Sequence, residues 1–139
     1  HWRPEARGAM TGLSFAATKA HVARAALEAM AMQTRDLARA FAADGADWAS
    51  LRIDGGMRAN DWMAQDLADI LALPVERPAL VETTALGAAI LAGFGAGLFA
   101  SLKTGAAAMR GPVDRFLPRM EAAERDARLA AWRAALETV

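Results

Sequence analysis

The 139-residue chain has no cysteine. That excludes disulfides and thiolate metal sites. Two histidines, His1 and His21, are too few to build an imidazole metal centre, so no metal site is expected. An excess of one charge is missing as well: 16 basic and 16 acidic side chains leave a formal net charge of zero. Neither a nucleic-acid surface nor a basic membrane-binding face fits that balance. No uninterrupted apolar run is long enough to span a bilayer, and no signal-peptide pattern opens the chain. The chain begins at His1 without a methionine, and the plain expectation is a cytoplasmic protein or a piece cut from one.

What is present is apolar mass. The chain is 55% hydrophobic, much of it alanine, which suits helices packed closely on each other or on a sheet. Its length is that of one ordinary domain. Residues 6–15, ARGAMTGLSF, read as one extended segment crossing or edging a sheet. Thr18 reads as the N-cap of a long helix, Lys19 to Ala43, closed by Asp44-Gly45. Leu27, Met30, Thr34, Leu37 and Phe41 recur at steps of three and four and predict its apolar stripe. Gln33, Thr34, Arg35 and Asp36 read as a solvated polar cluster.

WASLRID predicts a short strand that runs into Asp54-Gly55-Gly56. Met63, Leu67, Ile70 and Leu71 then predict a helix stopped by Pro74. LPVERP reads as a second strand near a sheet edge, with Pro78 at its end. Thr83 or Thr84 caps a third helix, ALGAAILAGFGAGLFASL, whose glycines imply close packing against a neighbour. RGPVDRFLP reads as a loop, and a last helix runs from about Met120 to Leu136. Strands alternating with helices argue for α/β layering with parallel strands.

The acid and two glycines of Asp54-Gly55-Gly56 sit where α/β proteins bind ligands, after a strand and before a helix. Glycine lets the backbone approach a ligand, and the helix N-terminus adds partial positive charge. Asn60 offers a donor and an acceptor suited to a purine edge or a ribose. As pattern alone, a tight turn with an Asn60 cap is the plainer reading. Neither a dinucleotide fingerprint nor a phosphate loop is spelled here. Glu82 fits a helix start, where acids are favoured. His21 reads as structural. Asp44, Asp54, Asp61, Asp66 and Asp69 are available carboxylates, of which only Asp54 stands at a strand end.

HWRPEARGAMTGL, AHVARAALEAMAMQTRD, LRIDGGMRANDWMAQDLADILALPVERP and ETTALGAAILAG together resemble the C-terminal part of glycerol kinases, in the FGGY carbohydrate kinase family. The resemblance runs from Trp2 to about Leu98 and more loosely to the end. It implies an actin-like (ribonuclease-H-like) ATPase fold, of which this stretch is the second half: helix-rich α/β with two or three short strands. Residues 1–100 would form the C-terminal half of the ATP-binding domain and residues 101–139 its closing loop and helix. It implies that Gly56 and Asn60 contact the adenosine end of ATP, with Gly55 shaping the turn and Met57 beside it. The whole enzyme would transfer the γ-phosphoryl group of ATP to glycerol with magnesium. The phosphate loop, glycerol pocket and catalytic aspartate of such an enzyme are not in this stretch, so the chain alone is expected to be inactive and prone to form homo-oligomers. Asp66 departs from the family, which commonly has an aromatic residue there, and Ile90 stands where many members have tyrosine. A non-catalytic helical interaction module, a piece of another FGGY sugar kinase and a fragment of a Rossmann-type dehydrogenase are the alternative readings.

Overall fold

Helix α1 (Lys19–Ala43) starts and stops where its caps dictate. At its first turn the imidazole Nδ1 of His21 accepts the Thr18 backbone N–H at 3.1 Å, giving His21 the structural partner that the sequence alone left unnamed. At its end Gly45 adopts φ +81°, and Ala46 N–H reaches back to the Phe41 carbonyl at 2.9 Å. This left-handed closure satisfies the last carbonyls and is cheapest for glycine. The computed structural model describes Glu5, residues 7–79 and residues 82–138.

After α1 come β1 (Leu51–Arg52), a 3-10 turn (Gly56–Ala59), α2 (Asp61–Leu71) and β2 (Val75–Pro78). Then follow α3 (Thr83–Gly95), α4 (Leu102–Ala108), β3 (Val113–Phe116) and α5 (Ala122–Leu136). The sheet order is β1-β2-β3. β1 and β2 run parallel, with Leu51 opposite Val75, which fits the expected α/β layering. β3 is antiparallel to β2, with Phe116 opposite Val75 and Val113 opposite Pro78. Residues read as a loop from their proline and glycine content are therefore a strand, because β2 offers them a ladder 35 or more residues back in the chain. That strand covers one flank of β2, and β1 on the other flank is an edge strand of the described sheet.

The core lies between α1, α2, the sheet and α5. Ala31, Met32, Ala38, Ile53, Met63, Leu67, Ile70, Leu71, Val75 and Leu129 are buried in one cluster. The buried face of α1 is not the expected stripe. Leu37 is 52% exposed and Phe41 44%, whereas Ala31 and Ala38 are buried. Two alanines seven residues apart share a helix face and let α2 approach closely, so the small side chains take the interface and the large ones are left outside.

Three further expectations change. Arg7 to Ser14 form no strand and are exposed, while Ala6 lies outside the described residues. The expected third helix over residues 85–102 stops early, at Gly95, where Gly97 takes φ +76° and Leu98 N–H bonds the Gly93 carbonyl at 2.8 Å, and a separate helix α4 starts only at Leu102. Of the glycines expected to pack closely, Gly93 does so, and Gly105 beyond the expected helix does too: an added Cβ would come within 2.6 Å and 2.8 Å of the Phe99 ring. Gly87 and Gly95 face open space. α3 is also not capped by Thr83. Glu82 holds the cap position, and Thr83 is the first helical residue.

Candidate functional site

β1 delivers the chain to the candidate site. Ile53 is buried and its N–H donates to the Glu76 carbonyl at 2.9 Å, so the strand stays paired up to the turn. Asp54, Gly55 and Gly56 follow, all exposed. Gly55 has φ +85°, a conformation that strains any residue with a Cβ. Gly56 lies outside the left-handed region and begins the 3-10 turn. An added Cβ at either glycine would meet no protein atom within 4 Å. The two glycines thus have different reasons to be glycine. The turn requires Gly55, whereas at Gly56 only close approach from outside would require it. Met57 belongs to the same turn, and its side chain lies outside the described ones.

Asn60 caps α2. Its side-chain Oδ1 accepts the Met63 backbone N–H at 3.1 Å, and the residue is half-buried. The cap fixes the amide's orientation: the oxygen turns inward, leaving the NH2 group as the remaining hydrogen-bonding face. The sequence therefore brings Gly55, Gly56 and Asn60 into one turn-and-cap unit at the C-terminal end of a parallel strand. Asp54 does not stand free as a base, because its carboxylate accepts the Thr83 hydroxyl at the start of α3.

The other carboxylates serve the frame. Asp61, the first residue of α2, accepts Arg77 Nη1 at 2.6 Å, and Arg77 also donates through Nη2 to Asp114 at 2.8 Å. Hydrogen bonds to Asp114 and then Asp61 hold the Arg77 guanidinium above the ordinary arginine range, so it stays charged. Asp66 is 4% exposed and accepts Arg128 at 2.6 Å and 3.2 Å. Burial works against the Arg128 charge, but the Asp66 hydrogen bond and field outweigh it and raise its pKa. Asp69 accepts the Arg119 and Met120 backbone N–H groups.

Contrary to the solvated cluster expected at residues 33–36, Asp36 accepts the Trp132 indole N–H at 2.7 Å and ties α1 to α5. Its neighbour Arg35 is half-buried, not solvated. The sequence could not reveal these pairs, because their partners lie 16 to 96 residues away. Among the described residues no group of three or more histidine, aspartate or glutamate side chains is placed to hold a metal ion. No described helix is long and apolar enough to cross a membrane.

With this geometry in place, the comparisons are specific. Residues 1–96 match the C-terminal domain of the FGGY family of carbohydrate kinases. A glycerol kinase of Rhodospirillum centenum is 53% identical over 98% of this chain, and one of Coxiella burnetii is 46% identical over 99%. The chain spans 27% of the length of each of these relatives. The crystal structure of Plasmodium falciparum glycerol kinase with ADP superposes with a TM-score of 0.85 at 31% identity, covering 99% of this chain and 28% of that one. A xylulose kinase of Rhodospirillum rubrum superposes at 0.75 with 28% identity, covering 97% of this chain and 28% of that one. The helix-rich α/β fold with its small three-stranded sheet is thus the C-terminal-domain fold of these kinases, and the chain belongs to the FGGY family of carbohydrate kinases.

Proposed function

We propose that the chain works as the C-terminal part of an ATP-dependent glycerol kinase and supplies the adenosine side of its nucleotide site. One observation carries the reading: an exposed Gly55-Gly56 turn with open space above both glycines, set between a parallel strand and a helix capped by Asn60. Backbone can approach a flat ligand there without side-chain hindrance. The Asn60 NH2 group donates to an acceptor atom of the ribose or purine, while its oxygen keeps α2 capped. Met57 flanks the turn. The high identity to proteins named glycerol kinase supports glycerol over a sugar as acceptor.

In this reading the γ-phosphoryl group leaves ATP, with ADP as the leaving group, and bonds to a glycerol oxygen. The base that takes the hydroxyl proton lies outside this chain. Such transfer depends on positioning and charge stabilisation, and this chain contributes the positioning of the nucleoside end. Magnesium travels with the phosphates of the nucleotide. Residues 1–100 act as the C-terminal half of the ATP-binding domain, with 101–139 completing it, in a cytoplasmic enzyme. The isolated chain is inactive and self-associates through its exposed apolar surface, which light scattering at several concentrations would detect.

The test is Asn60→Ala in the full-length kinase. The Michaelis constant for ATP should rise by the worth of one hydrogen bond, about 0.5–1.5 kcal/mol, with that for glycerol unmoved. A raised glycerol constant with ATP unchanged would sink the assignment.

A further inference from the structure

Asn60 points its amide only as well as the first turn of α2 is held. The inner side of that turn is packed into the core by Met63 and Ala64, so what remains to be held is its outer side. Asp61 is exposed, and Gly56 and Ala59 before it are exposed too. What reaches it from the sheet is Arg77. This side chain leaves the middle strand β2 with only 15% of its surface in water. Its guanidinium lies 5.0 Å from the Phe116 ring centre. Nη1 donates to Asp61 at 2.6 Å, while Nε and Nη2 both donate to Asp114 at 3.2 Å and 2.8 Å. A planar fork engaged on two sides and seated over a ring is a fixed object, unlike a mobile surface ion pair. One of its two anchors, Asp114, belongs to β3, beyond the residues that match the family domain.

We infer that Arg77 is a positioning residue for nucleotide binding: it clamps Asp61 to the sheet and thereby holds the Asn60 amide where the nucleoside must meet it. The inference rests on the reading of Gly55, Gly56 and Asn60 as the adenosine site. It makes the C-terminal strand part of the nucleotide apparatus without any contact to ligand. Asp114 steadies Arg77, Arg77 steadies Asp61, and Asp61 directly follows Asn60 as the first residue of the turn that Asn60 caps.

A double-mutant cycle in the full-length kinase tests it, with the dissociation constant of ATP read by calorimetry and both Michaelis constants read by assay. Arg77→Met should weaken ATP binding by up to about tenfold, the most that one misplaced hydrogen bond can cost. The glycerol Michaelis constant should stay in place. Arg77→Lys, which keeps charge but loses the fork, should fall between. In the Asn60→Ala background Arg77→Met should add nothing, because the group it positions is gone. Equal effects of Arg77→Met in both backgrounds, or no effect in the wild-type background, would overturn the inference while leaving the adenosine site intact. An Asn60→Ala enzyme that binds ATP normally would overturn both. If Arg77→Met does not fold by circular dichroism, Asp61→Asn carries the same cycle from the other side of the pair, with the same non-additivity required.

Discussion

Helices α2 and α3 are close neighbours in sequence and end in opposite surroundings. α2 contains three aspartates and a glutamine in 11 residues, yet eight of those residues are buried, Asp66 and Asp69 among them. α3 has no charged side chain between Thr83 and Gly95, yet only Gly93 is buried. Leu91 is 60% exposed, and Leu98, just beyond the helix, is 76% exposed. The difference lies in partners. α2 is flanked by α1, the sheet and α5, and each buried carboxylate meets a cation or backbone N–H groups. α3 meets chiefly α4, through Phe99 seated over Gly93 and Gly105. Burial follows from available partners and not from hydropathy alone, and a buried polar group is tolerated where its hydrogen bonds are met.

The sharpest way to break this contrast is to truncate one apolar residue on each helix. Ile70 is fully buried. Ile70→Ala should cost about 2–5 kcal/mol, because it loses transfer energy and leaves a cavity. Leu91→Ala should stay within about 0.5 kcal/mol, as at other exposed positions. Urea unfolding of both variants decides it, and equal losses would mean that α3 packs as tightly as α2.

Next in size is the Asp66–Arg128 pair. Arg128→Met should cost about 2–3 kcal/mol, below the usual cost of breaking a buried pair because part of Arg128 reaches water. The pKa of Arg128 is raised in the folded chain, so its stabilising contribution is fully present below the unfolded arginine value and fades only above it. Thermal melts of wild type and variant should therefore keep a constant separation from neutral pH to the alkaline side until arginine titrates. A gap that closes earlier would mean another group carries the linkage.

The smallest and most informative contrast separates the two glycines. Gly55→Val should destabilise by about 1–3 kcal/mol whether or not nucleotide is present, because φ +85° strains a branched residue. Gly56→Val should leave the melting temperature within a degree or two of wild type, since the stability change of about 0.5 kcal/mol or less is typical of open positions. Its cost should appear in ATP affinity. Melting curves and ATP titrations of both variants check this, and a Gly56→Val variant that binds ATP normally would reduce the turn to architecture.

These contrasts also mark what the sequence could carry. The ends of α1 were legible because Thr18 and Asp44-Gly45 are local devices. The turn and cap at Gly55 and Asn60 were legible for the same reason. Missing were features set by distant partners. β3 becomes a strand only because β2 lies beside it. The face of α1 is chosen by where α2 lies, so Ala31 and Ala38 win over Leu37 and Phe41. Asp36, Asp61, Asp66 and Asp69 look alike in sequence, and only the fold assigns them Trp132, Arg77, Arg128 and the 119–120 backbone.

The most direct measurement is photolabelling of the full-length kinase with 8-azido-ATP, followed by tryptic mapping. The account predicts label on the peptide Ile53–Arg58 or on the peptide that begins at Ala59, displaced by excess ATP and weakened in Asn60→Ala. Label that ATP displaces but that falls only on other peptides would place the adenine elsewhere and contradict the assignment of Gly55, Gly56, Met57 and Asn60.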